Sequence, residues 1–152
     1  MIDIRNLSRR RFLELSGAAG VSLGLSQAGL IGTARAADPL PAVAEEDAVI
    51  AFGYVGPTSD EGWTWTHEQG RQAVQEAFPK AKTIFVENIP YSADASRTFR
   101  QFVSEGANMV ITNSNYGDFM YDIAKNAPET AFLHCDDRTM MDNMGVFYPS
   151  HW

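Results

Sequence analysis

Short apolar runs alternate with amphipathic stretches along the chain from residue 47 onwards. The run "DAVIAFGYV" (47–55) is bounded by charge before it and by Gly56-Pro57 after it, which is typical of a strand buried on both faces. Similar β-branched and aromatic runs predict further strands. These are "KTIFVENI" (82–89), "NMVITNS" (108–114) and "TAFLHCD" (130–136), with "NMGVFYP" (143–149) as a candidate fifth strand.

Helical periodicity fills the segments between these runs. In the first segment, Thr58 and Glu61 have capping-box spacing, and the helical pattern continues until Pro79. A second helix is predicted after Ser92 as its N-cap, with Gly106 as its stop. The stretch "YGDFMYDIAKNAPE" (116–129) predicts a third helix that ends before Pro128.

The alternation of strands and helices determines the expected fold class. Short connections between alternating elements imply right-handed crossovers, and these place the strands in parallel. We therefore predict an α/β fold in which a parallel sheet carries helices on both faces, formed by residues 47–152.

The first 36 residues follow a different pattern. Residues 8–13, "SRRRFL", match the consensus of a twin-arginine export signal, and a weakly apolar stretch rich in Gly and Ala follows. That stretch is too short for a stable membrane anchor, which needs about 20 apolar residues. Small residues at Ala34 and Ala36 predict cleavage after Ala36, and residues 37–46 then form an extended linker. The alternative is a basic amphipathic N-terminal helix of a cytoplasmic protein.

The net charge and the single cysteine limit the classes of partner that we expect for the chain. The chain of 152 residues has a net charge of −7, and removal of residues 1–36 changes this to about −10. A domain with this much negative charge repels phosphate backbones and anionic lipid. We therefore expect neither nucleic acid nor a membrane surface as a partner. The single cysteine, Cys135, cannot form an intramolecular disulfide, and none lies near the cleavage site to take a lipid. These features predict a soluble periplasmic protein.

The loops that follow the strands carry the candidate ligand-binding residues. Ligands of open parallel sheets bind beyond the carboxyl ends of the strands. Hydrogen-bonding groups beside aromatic rings suit a planar polar ligand. The candidates are Asp60, Trp63 and Thr64 after the first strand, Asn113 and Ser114 after the third, and Asp137 after the fourth. The alternatives are structural: Trp63 as a packing anchor, Asn113 and Ser114 as turn and cap residues, and Asp137 as part of a solvated turn.

Motifs of common enzyme classes do not occur in residues 37–152, which contain no G-x-G-x-x-G, G-x-x-x-x-G-K or G-x-S-x-G. The histidines His67, His134 and His151 lack metal-ligand spacing. His134 and Cys135 are neighbours that would point to opposite faces of a strand, so they cannot act as a catalytic pair, and we expect Cys135 to be a buried apolar residue. The sequence predicts neither catalysis nor a cofactor.

Three long segments carry a resemblance to a known family. They are "IAFGYVGPTSDEGWTWTHEQGRQAVQEAFP" (50–79), "VENIPYSADASRTFRQFVSEGANMVITNS" (86–114) and "PETAFLHCDD" (128–137). In this order they resemble the basic membrane protein family of ABC-transporter substrate-binding proteins, which includes purine-nucleoside receptors. The similarity runs from about residue 48 to residue 148.

The resemblance implies a type I periplasmic-binding-protein clamshell, in which two α/β lobes close over a solute and present it to an ABC permease in the inner membrane. By position, Asp60 would hold the sugar of a nucleoside, Trp63 would stack on the base and Thr64 would add a polar contact. Asn113, Ser114 and Asp137 would line the same cleft.

Two departures from the family pattern matter. Trp63 and Thr64 stand where nucleoside receptors more often carry Phe and Asn, so the expected solute is a purine nucleoside or a related flat polar molecule. A full clamshell is much longer than this chain, so we expect a fragment with the first lobe only. One wall buries far less of a solute than two, and the isolated chain is expected to bind little or none.

Two other functions stay open from the sequence. One is an exported flavodoxin-like enzyme that uses Asp60, His67 and Glu68 in acid–base chemistry. The other is a ligand-sensing subunit that docks on a membrane receptor.

Overall fold

The computed structural model describes residues 40–136 and 138–148. The predicted export signal and the first residues of the predicted linker lie outside the described residues. A 3-10 turn, Glu45–Asp47, ends the linker segment. The elements that follow are β1 (Val49–Gly53), α1 (Trp63–Ala77), β2 (Lys82–Val86), α2 (Ala93–Ser104), β3 (Met109–Thr112), α3 (Gly117–Asn126), β4 (Ala131–Cys135) and β5 (Met144–Phe147).

The strands of the described part form one parallel sheet in the order β2-β1-β3-β4-β5. The chain leaves β1 towards β2 at one edge, whereas it leaves β3 towards β4 on the other side. Because right-handed crossovers in opposite directions lie on opposite faces, the carboxyl ends of β1 and β3 flank the topological switch point of the sheet. The predicted α/β fold and the fifth strand are confirmed.

One face of the sheet packs against α2 and α3, which also pack against each other. One apolar side chain from each strand lies in register on this face: Ile84, Ala51, Val110, Phe132 and Met144. Buried side chains of the two helices complete the core: Ala95, Phe99 and Phe102 from α2, and Met120, Ile123 and Ala124 from α3. This core holds β1 and β3 in place, and the carboxyl ends of these two strands carry the candidate site.

The opposite face of the sheet carries α1 and a buried polar cluster. The Tyr54 hydroxyl donates to Oε2 of Glu68 at 3.0 Å, and both residues are buried. Arg71 donates to both oxygens of Glu68, at 2.8 and 2.6 Å, and lies over the Phe85 ring at 4.9 Å. The Arg71 hydrogen bonds lower the pKa of Glu68, so its carboxylate is charged. A charge-assisted cluster therefore holds α1 on the sheet.

The helix starts test the predicted caps. Ser92 is confirmed as the N-cap of α2, because its hydroxyl accepts from the Asp94 N–H at 3.2 Å. The capping box predicted for Thr58 and Glu61 is wrong. Glu61 has a φ of 53°, which is left-handed backbone, and α1 begins only at Trp63. The N–H groups in the first turn of α1 therefore need another acceptor.

One side chain joins several segments at the end of the sheet where the strands begin. Asn143, just before β5, donates from Nδ2 to the main-chain oxygens of Ala124, Ala127 and Thr130 at 2.9–3.0 Å. It thereby satisfies carbonyl groups at the carboxyl end of α3.

Within the described residues, no helix has the length and apolar character needed to cross a membrane.

Candidate functional site

Asn113 lies directly after β3 and connects three segments at the switch point. Its Oδ1 accepts from the Val55 N–H at 2.9 Å, and its Nδ2 donates to Oγ1 of Thr64 at 3.3 Å. Its own N–H donates to the Gly53 oxygen at 3.1 Å. Asn113 and Thr64 are each 1% exposed. Their polar groups therefore join the ends of β1 and β3 to the first turn of α1 instead of facing the surface.

The indole of Trp63, the first residue of α1, is held by one hydrogen bond and one aromatic contact. Its Nε1 donates to the main-chain oxygen of Asn113 at 2.7 Å. The His67 ring meets it edge to face, with ring centroids 4.7 Å apart, and His67 also lies 6.2 Å from the Phe147 ring. The Trp63 side chain is still 37% exposed. An immobilised aromatic ring with free area thus lies at the carboxyl end of the sheet, as a stacking platform requires.

Burial keeps His67 uncharged next to this ring. Desolvation lowers the pKa of His67, because the charged imidazolium loses its hydration in a half-buried position. A neutral imidazole packs against the indole without the desolvation cost of an ion.

Asp60 supplies the cap that α1 needs. Its Oδ1 accepts from the N–H groups of Gly62 and Trp65, and its Oδ2 accepts from the Thr64 N–H, all at 2.9 Å. These bonds, led by the one from Gly62, lower the pKa of Asp60. The Thr64 hydroxyl also hydrogen-bonds to this carboxylate and lowers its pKa, so most of the roughly four acceptor positions of Asp60 are used within the chain.

Ser114 follows Asn113 and is bonded to an aromatic residue from another loop. The hydroxyls of Ser114 and Tyr91 are hydrogen-bonded. The Tyr91 ring stacks on Tyr116 with centroids 4.8 Å apart and planes 20° apart. Tyr116 is buried and donates to the Ile89 oxygen at 2.5 Å, and burial raises its pKa. Tyr91 itself is 51% exposed.

A second carboxylate lies near the turn that carries Asp60. Glu87 Oε1 accepts from the Thr58 N–H at 2.5 Å, and hydrogen bonds from the Thr58 hydroxyl and N–H lower the pKa of Glu87. Asp60 and Glu87 are therefore both ionised near pH 7, and they make this end of the sheet electronegative.

The structure brings five of the six predicted site residues together. Asp60, Trp63 and Thr64 share the first turn of α1, and Asn113 contacts both Trp63 and Thr64. Ser114 is next in the chain. Asp137 lies outside the described residues. The sequence pattern does not single out Tyr91, which follows β2, and it offers His67 only as an acid–base residue.

The groups that could do chemistry are placed unfavourably for it. Cys135 and His134 are both fully buried. Burial, with a contribution from Asp136, raises the pKa of Cys135 to about 11, so its thiol is protonated and a poor nucleophile. In the described ranges, no group of three or more His, Cys, Asp or Glu side chains is arranged to hold a metal ion.

Comparisons with known proteins identify the family of the chain. Residues 48–148 match the family model described as ABC transporter substrate-binding protein, PnrA-like (Bmp). A purine-binding protein of Brucella abortus (strain 2308) is 36% identical over 106 residues, which cover 68% of this chain and 30% of that protein. A Haloferax volcanii protein, described as a candidate ABC transporter glucose-binding protein, is 34% identical over 103 residues, 67% of this chain and 26% of the other.

A solved structure shares the fold. An ABC transporter solute-binding protein from Conexibacter woesei DSM 14684 superposes with a TM-score of 0.56 at 18% identity, covering 66% of this chain and 35% of that one. The chain thus spans between about a quarter and a third of the length of these relatives. The matched family consists of substrate-binding proteins, which are not enzymes. The chain belongs to the PnrA-like (Bmp) family of ABC transporter substrate-binding proteins.

Proposed function

We propose that this chain forms one wall of the solute site of an ABC importer, and that the solute contains a purine ring. The observation that carries the proposal is Trp63, whose indole is fixed at the switch point and still presents free area. A flat heterocycle gains stacking energy on such a ring without requiring the protein to reorder. The name of the Brucella relative, a purine-binding protein, supports the same solute class.

The polar groups at the site favour a purine over a simple sugar, although the Haloferax relative is described as a candidate glucose binder. Recognition of a hexose needs many hydrogen bonds to its hydroxyls. Here the Asn113 amide and the Thr64 hydroxyl are bonded within the chain, and Asp60 accepts from three N–H groups and from the Thr64 hydroxyl. One hydroxyl of a nucleoside sugar would share the exposed Asp60 carboxylate with these donors. In this proposal Asn113 and Thr64 support Trp63 and Ser114 lines the cleft, and Asp137, which lies outside the described residues, keeps the role that the family resemblance implies.

The charge of the site selects against anionic solutes. The carboxylates of Asp60 and Glu87 repel a phosphate group, because both are ionised near pH 7. We therefore expect adenosine to bind better than its monophosphate.

A titration followed by NMR tests the solute class on the full chain. ¹H–¹⁵N spectra are recorded with adenosine, adenosine monophosphate and glucose, and the Trp63 indole signal is assigned from its loss in Trp63→Ala. Binding by one lobe should be weak but measurable, because one wall leaves much of the solute in water. We expect adenosine to shift this signal and the backbone amides around it with a dissociation constant on the order of millimolar. Trp65→Ala is the matched control, since Trp65 is on the same helix and is 46% exposed.

The outcomes separate the possibilities. Loss of the adenosine-induced backbone amide shifts in Trp63→Ala and their retention in Trp65→Ala would support the stacking role. A stronger response to glucose than to adenosine, or equal responses in the two variants, would contradict it.

The cellular setting belongs to the same proposal. Residues 1–36 would direct export by the twin-arginine route to the periplasm, where the solute passes to an inner-membrane permease. A fusion of residues 1–40 to a reporter that is active only outside the cytoplasm tests the route. Arg9→Lys combined with Arg10→Lys should abolish reporter activity, and full activity in that variant would refute twin-arginine export.

A further inference from the structure

Two aromatic side chains from different loops are hydrogen-bonded to consecutive residues of one turn. Trp63 follows β1 and its indole nitrogen bonds to Asn113, whereas Tyr91 follows β2 and its hydroxyl bonds to Ser114. Bond lengths limit the separation of the Trp63 nitrogen and the Tyr91 hydroxyl to roughly 10 Å. This separation is comparable to the length of a nucleoside. One solute can therefore reach both rings.

Tyr91 is held as firmly as Trp63. One face of its ring rests on Tyr116, which is buried and packs edge to face on Phe99 with centroids 5.4 Å apart. The Tyr116 hydroxyl is anchored on Ile89, which belongs to the same loop as Tyr91. Half of the Tyr91 side chain nevertheless remains exposed. An aromatic ring that is preorganised on one side and open on the other loses little entropy when a ligand covers it.

We propose that Tyr91 is a specificity-determining residue of this site, and that it contacts the part of the solute that extends beyond the base stacked on Trp63. This inference rests on the proposed purine solute. A free base reaches Trp63 alone, whereas a nucleoside also places its sugar against the Tyr91 ring. Tyr91 thus favours nucleosides over free bases.

The test compares adenosine with adenine on the full chain by the same NMR titration. Tyr91→Ala should weaken adenosine binding about 3- to 10-fold, as expected for loss of one aromatic contact, and should change adenine binding less than about twofold. Trp63→Ala should weaken both ligands. Tyr91→Phe should bind like the unmodified chain within about twofold, because the stack on Tyr116 still holds the ring without the hydroxyl. Tyr121→Ala, at an exposed tyrosine on α3, is the matched control.

Each result has a distinct meaning. A response that depends on Trp63 but is unaffected by Tyr91→Ala, or an equal loss for both ligands in that variant, overturns the role of Tyr91 and leaves the purine proposal standing. No response to either ligand in the unmodified chain contradicts both. If Tyr91→Ala unfolds, the adenosine-to-adenine ratio in Tyr91→Leu decides, since leucine keeps apolar volume but no ring, and an unchanged ratio refutes the assignment.

Discussion

The indole nitrogen of Trp63 donates to the main-chain oxygen of Asn113, and the Asn113 side chain in turn bonds to Val55 and Thr64. The main chain of Asn113 thus holds the exposed ring, while its amide holds the loops on either side. Substitution of the side chain should therefore affect the stability of the site more than the Trp63 contact itself.

Asn113→Ala should lower the free energy of unfolding by about 1–3 kcal/mol, because the Val55 N–H loses its acceptor near the buried amide. Urea unfolding followed by circular dichroism measures the change. Asn115→Ala is the matched control, since Asn115 is exposed in the same turn and should shift stability by less than about 0.5 kcal/mol. Equal effects of the two substitutions would argue against a joining role for Asn113.

His67 should give the stability a dependence on mildly acidic pH. Its pKa in the folded chain lies below the ordinary value of about 6.5, so below that pH the unfolded chain takes up the proton first. The stability contributed by neutral His67 is present above this pH and is lost as the pH falls through the lower folded value. Urea unfolding at several pH values between 7.5 and 5 should show a smaller fall in His67→Phe than in the unmodified chain. Identical slopes would contradict the assignment.

Gly53 and Gly70 should respond in opposite directions to the same substitution. A Cβ at Gly53, the last residue of β1, would lie 3.0 Å from Ile89 Cδ1 and 3.2 Å from carbons of Phe99 and Thr112. Gly53→Ala should therefore cost about 1–3 kcal/mol through overpacking. A Cβ at Gly70 in α1 meets no atom within 4 Å, so Gly70→Ala should stabilise the chain by roughly 0.5–1 kcal/mol. Thermal unfolding of the two variants side by side checks both signs.

Tyr54→Phe should destabilise the chain by about 1–2 kcal/mol, because it removes one donor to the buried Glu68 carboxylate while Arg71 and Gln72 remain. Tyr121→Phe removes a hydroxyl from an exposed tyrosine and should be nearly neutral. Chemical denaturation of the two variants makes the comparison. A neutral result for Tyr54→Phe would show that the cluster under α1 does not depend on this hydroxyl.

The sequence predicted the sheet well because burial determines its pattern. The runs that became β1, β3 and β4 are apolar on both faces, and a parallel sheet covered by helices produces this pattern. The start of α1 was predicted less well. The spacing of Thr58 and Glu61 suits a capping box, but the backbone of Glu61 is left-handed and Asp60 caps the helix instead. Side-chain spacing alone does not specify this backbone.

Polarity identified the site loops but not the use of each polar group. Asn113 and Thr64 were selected as hydrogen-bonding residues, and the structure shows that they bond to each other inside the chain. Tyr91 and His67 acquire their positions through contacts with Ser114 and Trp63, and those contacts depend on the folded arrangement of the loops. Such pairings cannot be read from local periodicity.

The division between buried polar groups and exposed rings also affects how the site can change over generations. Asn113 and Thr64 hold the loops together, so most substitutions there would damage folding and be lost. Trp63 and Tyr91 expose their rings and lie outside the core. In the proposed site, exchanges among aromatic residues at these two positions would alter solute preference at little cost in stability. If so, related proteins would acquire new solutes through the exposed rings at these two positions while the buried framework stays constant.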